Sequence, residues 1–146
     1  MRANKVEPPM TLRALPLIAL PLIVYNILLT FAGGAPEDFF RTPLFSVGMI
    51  KGATWSFTRG DFVILLTFLT LFIELIKSTW TGTASLVDHG LSMVVFIIAL
   101  IEFLVVNAAA TSVFFFVVLG AVIDVVAGFT IGIRVARRDL SIGADT

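Results

Sequence analysis

Cysteine is absent from the chain, and histidine occurs once, at His89. Without thiols there is no disulfide, no thiolate metal site and no cysteine nucleophile. A single imidazole leaves no basis for a histidine metal centre. Charge of either sign is scarce: ten Lys and Arg balance ten Asp and Glu, and charged residues make up 14% of the chain, against about 25% in ordinary globular chains. A balanced, sparse charge gives no basic surface for nucleic acid, so no nucleic-acid partner is expected. Phosphate loops, GxGxxG, HExxH and a serine nucleophile elbow are missing as well. Gly33-Gly34, followed by Ala35-Pro36, reads as a helix terminator. The expectation is no catalytic residue, no cofactor, no metal and no enzymatic activity.

What the chain has instead is apolar residues, 58% of the total. They gather into runs: Leu12 to Ala32, Phe62 to Ile76, Leu86 to Val106 and Val113 to Ile133. A hydrocarbon core of about 30 Å takes roughly 20 apolar residues in a helix, and backbone groups in lipid must pair with one another. The runs therefore predict an all-α membrane protein, a four-transmembrane-helix bundle with spans at about 12–32, 61–80, 86–107 and 112–134 in a single domain over residues 1–146. The second run is short, and Trp80 at an interfacial position, with Lys77 snorkelling, extends it. The first run is long for a signal-peptide apolar region, and Pro36 would follow the cut, so the segment reads as retained. Pro16 and Pro21 should bend it.

Basic residues near span ends set orientation. With the N-terminus inside, Arg2, Lys5, Arg13, Lys77, Arg134, Arg137 and Arg138 lie on the cytoplasmic side, and Arg41, Lys51 and Arg59 on the other. Both termini are thus expected in the cytoplasm, with the Arg134, Arg137 and Arg138 cluster against anionic headgroups. The 33–60 segment is the outer loop. Thr54 to Thr58 alternates with period two, preceded by Phe45 to Met49 and a break at Lys51-Gly52. It reads as a short β-hairpin with Trp55 and Phe57 on one face, at the outer mouth or the headgroups; the alternative is an irregular loop with interfacial aromatic anchors. Asp61 is placed to cap the second helix.

Acids inside apolar helices are costly and need a partner, a proton or the interior of a bundle. Glu74, Glu102 and Asp124 are such acids. Gly120, Asp124, Gly128 and Gly132 recur every four residues, a smooth helix-packing face. Ser85, Asp88, Ser92, Ala99, Glu102 and Ala109 form one stripe; Thr67, Thr70, Glu74 and Lys77 another; Ala19, Asn26, Thr30 and Gly33 a third. Counting depth from the turn at Ala109-Ala110 predicts two layers. The outer one holds Glu102, Asn26 and Tyr25, and the inner one Asp124, Glu74 and Lys77, with Glu102 and Asp124 about 10 Å apart along the helix axes. Asp88 reads as a helix cap and His89 as a surface hydrogen-bonder.

Gly60-Asp61, Asp88-His89-Gly90-Leu91-Ser92-Met93, Glu102-Phe103 and Asp124-Val125-Val126-Ala127-Gly128-Phe129 together resemble a group of small four-span bacterial inner-membrane proteins of no known activity. The resemblance runs from about Phe45 to Arg138. It implies a bacterial inner membrane and transfers no functional residue. Two functions fit these features. One is a non-enzymatic protein that works by associating, as an accessory or assembly subunit or a homo-oligomer, with the lipid bilayer and other membrane helices as partners. The other is a small proton- or cation-coupled transporter or channel using Glu102, Asp124 and Glu74, since acids that exchange protons inside a bilayer are what relays use.

Overall fold

A computed structural model of the protein describes residues 15–79 and 83–143. Among these, the order is α1 (Ala19–Leu29), α2 (Pro36–Arg41), β1 (Pro43–Gly48), β2 (Thr54–Thr58), α3 (Arg59–Lys77), α4 (Thr83–Val105), a 3₁₀ turn (Asn107–Ala109) and α5 (Ser112–Gly143).

The four-transmembrane-helix bundle is corrected. Two helices among the described residues are long and apolar enough to cross a membrane, Val87–Val105 within α4 and Ser112–Arg134 within α5. The run at 12–32 yields in α1 a helix of only 11 residues, about 16 Å at 1.5 Å per residue. Its prolines explain the loss. Instead of bending a continuous helix, they precede and open it: the chain turns through Pro16, whose carbonyl accepts the Ala19 N–H at 3.1 Å. Pro21 lies in the first helical turn, where a missing N–H costs nothing. The run at 61–80 becomes α3, of 19 residues, but Arg59, Asp61, Glu74 and Lys77 interrupt its apolar character. Nor is the fold all-α, because β1 and β2 form an antiparallel sheet.

That sheet is the hairpin expected within residues 33–60, and not an irregular loop. Phe45 faces Phe57 and Val47 faces Trp55. Met49 closes the turn with Ala53 at 2.7 Å, and Gly52 supplies a φ of +88° there. Phe45 and Phe57 stack at 5.1 Å, with Trp55 at 6.0 Å from Phe57. On the opposite face Ser46 and Ser56 share a hydrogen bond of 2.8 Å. Trp55 remains exposed. The hairpin feeds α3 through a capping box in which Thr58 is the cap. The Thr58 N–H donates to Asp61 Oδ2 at 2.8 Å, and the Asp61 N–H to Thr58 Oγ1 at 3.1 Å. Asp61 thus completes the cap from the third position instead of being it.

Packing runs mainly between α4 and α5 and between α3 and α5, with α1 laid against α3. The antiparallel α4–α5 pair turns at Asn107–Ala109. Near that turn lies an aromatic core. Tyr25 stacks on Phe40 at 4.6 Å and leans on Phe114 at 4.6 Å, over Val63, Ala99 and Val117. Close approach needs glycine in two places: a Cβ on Gly60 would lie 2.7 Å from Val113 Cγ2, and one on Gly120 2.5 Å from Thr67 Cγ2.

Candidate functional site

The polar residues of the interior gather at the end of the molecule opposite the turn. Lys77, in the last turn of α3, points its ammonium inward. The Nζ lies 3.0 Å from Glu74 Oε2 and 3.0 Å from Asp88 Oδ1, and donates to the Leu15 carbonyl at 2.8 Å. Glu74 in turn accepts the Leu17 N–H. Exposure is 1% for Glu74, 6% for Lys77 and 2% for Asp88, so solvent does not screen the cluster. The chain before α1 is not helical at Leu15–Ile18, and backbone there must find partners elsewhere. The side chains of Lys77 and Glu74 supply them. One ion cluster therefore joins the approach to α1, α3 and α4.

Asp88 is the member that sequence reasoning missed. With α4 starting at Thr83, Asp88 sits inside the helix and pairs with lysine; it does not cap. His89 is likewise buried, at 6%, and not a surface residue. Its ring packs on Gly128, where a Cβ would lie 3.0 Å from Nδ1, and on Gly132, where a Cβ would lie 3.6 Å from Nε2. Phe129 flanks it at 5.6 Å, and Ser85 Oγ lies 3.4 Å from Nε2. The stripe of Ser85, Asp88 and Ser92 was the signal for an inward-facing Asp88, but a span start at Leu86 put that residue in the first turn, where it read as a cap.

The expected inner layer is rearranged accordingly. Glu74 and Lys77 meet, but Asp88 takes the place assigned to Asp124. Asp124, 1% exposed, lies beside Ser92 of α4, and among the described residues neither its Oδ2 nor the Ser92 hydroxyl has any other hydrogen-bond partner. The outer layer holds Glu102 and Asn26, whose Nδ2 donates to Glu102 Oε2 at 3.1 Å. Tyr25 is not hydrogen-bonded to Glu102. Its hydroxyl bonds Thr111 Oγ1 at 2.8 Å and the Ala108 carbonyl at 3.4 Å, tying α1 to the α4–α5 turn. Glu102 is ten residues from Ser92 on α4, about 15 Å along the axis, and Val95, Phe96 and Ala99 lie between. The two polar layers are separated by apolar packing.

Gly120 of the small-residue face meets α3, whereas Gly128 and Gly132 meet α4. Trp55 and Phe57 lie on the hairpin. Arg134 and Arg137 are exposed near the end of α5, and Arg138 follows on the same helix. Trp80 lies outside the described residues. Among the described residues no group of three or more His, Asp and Glu is arranged to hold a metal ion. No protein-family model matches the chain, and no curated protein and no solved structure matches it either.

Proposed function

We propose that the chain is a small, non-enzymatic protein of the bacterial inner membrane that works by associating with other membrane helices, as an accessory or assembly subunit or as a homo-oligomer. In this reading α4 and α5 cross the bilayer as a hairpin. A hairpin returns the chain to the side it left, and Arg134, Arg137 and Arg138 favour the cytoplasm for that side, so both termini are cytoplasmic.

The observation that carries association is the Glu102–Asn26 pair. α4 packs along α5 and touches α1 only briefly. On that open side Glu102 and Asn26 are half-buried, beside exposed Ile98, Ile101 and Val105. A carboxylate among hydrocarbon costs roughly 2.5–3.5 kcal/mol on insertion scales, and polar side chains at such positions hold helices together. A helix lying along the α1–α4 side would cover the pair. The inner ion cluster supports a non-enzymatic role, because its charged groups are engaged with one another and closed to solvent.

The test is photocrosslinking in membranes from Ile101, with Glu102→Leu as the paired variant. The expected result is a discrete adduct, either at twice the 15.8 kDa chain mass or with one defined partner, that is lost in Glu102→Leu. Crosslinks to lipid alone, unchanged by the substitution, would remove the reading.

A further inference from the structure

Several hydroxyls on or just beyond the helices bond back to the chain, and Ser92 does not. Thr67, Thr70, Ser78, Thr79 and Thr130 each donate to a backbone carbonyl three or four residues earlier, the usual way for a hydroxyl to be satisfied on a helix. Ser92, 1% exposed, makes no such backbone bond among the described residues. The antiparallel register that sets His89 over Gly128 and Phe103 against Phe114 sets Ser92 across from Asp124, whose Oδ2 has no other partner among the described residues. A buried carboxylate and a hydroxyl that can donate to it thus face each other across the α4–α5 interface, and among the described residues no ion pair compensates the carboxylate's charge.

The charges around them do not balance. Lys77 and Asp88, which already bond each other, and His89 are the groups within electrostatic reach of Asp124, and Glu74 sits beyond Lys77 on α3. The three contacts of the Lys77 ammonium go to Glu74, Asp88 and Leu15. One ammonium is thus shared by two carboxylates before Asp124 is counted. Buried polar groups are paired, and buried charges are compensated.

We infer that Asp124 Oδ2 and Ser92 Oγ form a binding site for one small monovalent cation, either a proton or a sodium-sized ion, held between α4 and α5. The shared chemistry is a single positive charge between two oxygens, the same service that the Lys77 ammonium performs for Glu74 and Asp88. The inference is independent of association through Glu102, which lies at the other polar layer.

The test uses the full chain in lipid nanodiscs, comparing the protein with Asp124→Asn and Ser92→Ala. Infrared spectra report a carboxylic-acid C=O stretch, and thermal unfolding is followed as sodium chloride replaces choline chloride at constant ionic strength. A bound proton gives an acid stretch that Asp124→Asn removes, with unfolding indifferent to sodium. A bound sodium gives no such stretch but a Tm that rises with sodium, and Asp124→Asn abolishes that rise. Ser92→Ala keeps the carboxylate, so it serves even if Asp124→Asn fails to fold. It should shift the acid stretch, or raise the sodium needed by about tenfold for one lost oxygen contact worth about as much as a hydrogen bond. A spectrum and a sodium response unchanged in Ser92→Ala, or unaltered by Asp124→Asn in a folded protein, would overturn the site.

Discussion

A lysine buried among two carboxylates and a backbone carbonyl is costly to desolvate and costlier to remove. Deleting one partner of a buried ion pair typically destabilises by about 3–5 kcal/mol, because the remaining charge stays buried without compensation. Lys77→Met should do this to Glu74 and Asp88 together and leave the Leu15 carbonyl without its donor. The expected outcome is a loss of about 3–5 kcal/mol in denaturant unfolding in mixed micelles. Most of it should be recovered in the triple variant with Glu74→Gln and Asp88→Asn, which removes the orphaned charges. Failure of the triple variant to recover would mean that Lys77 contributes through packing of its stem and not through charge. At this scale half of the cluster was legible beforehand. Glu74 and Lys77 are three apart on one helix, and their pairing follows from helical geometry alone. Asp88 belongs to another helix, and only the way α4 lies against α3 brings it within 3.0 Å of Lys77.

Elements in this chain are held close by missing side chains. At the α3–α5 crossing a Cβ on Gly120 would sit 2.5 Å from the Thr67 γ-methyl, a separation real atoms do not keep. Gly120→Ala is therefore expected to destabilise by about 1–3 kcal/mol, the usual cost of overpacking. Thr67→Ser removes the offending methyl and keeps the hydroxyl that donates to the Val63 carbonyl at 2.9 Å. The double variant should regain most of the loss, and a thermal-unfolding cycle of the four proteins measures the coupling. Additive effects would place the strain elsewhere. The recurrence of Gly120, Gly128 and Gly132 announced a close-packed face, but not that it is shared, with α3 meeting Gly120 and His89 of α4 filling the space over Gly128 and Gly132. Periodicity also located the hairpin strands, because alternation is a local property of the backbone. Helix limits were read less well. The first apolar run contains two prolines, and the turn at Pro16 with the start at Ala19 reflects where partners exist for free backbone groups.

For the molecule as a whole, an apolar exterior is the dominant feature. Leu91, Val94, Ile98, Ile101 and Leu104 on α4 are all exposed, as are Phe68 and Phe72 on α3. Such a surface is stable against lipid or protein and not against water. The absence of cysteine makes the proposed orientation directly testable with single introduced thiols. Asn107→Cys, at the exposed α4–α5 turn, should react with an impermeant maleimide in intact spheroplasts. Ser141→Cys, beyond the arginines of α5, should react only after permeabilisation. The reverse pattern would invert the assignment, and equal labelling of both would remove α4 and α5 as a membrane-crossing hairpin.

Composition and run length alone determined that most of this chain is apolar, that any backbone meeting hydrocarbon would have to be helical, and that acids in such helices need company. These follow from the one-dimensional pattern, since each concerns a residue and its immediate neighbours on one element. Tertiary structure decided which company they keep. Asp88 rather than Asp124 completes the lysine cluster, Tyr25 bonds the α4–α5 turn and not Glu102, and the first apolar run yields a short helix whose unpaired approach is held by side chains of α3. The reason is geometric. A shift of one helical turn, about 5.4 Å, exchanges every polar partner across an interface, and that shift is set by glycine contacts and aromatic stacking between segments far apart in the chain.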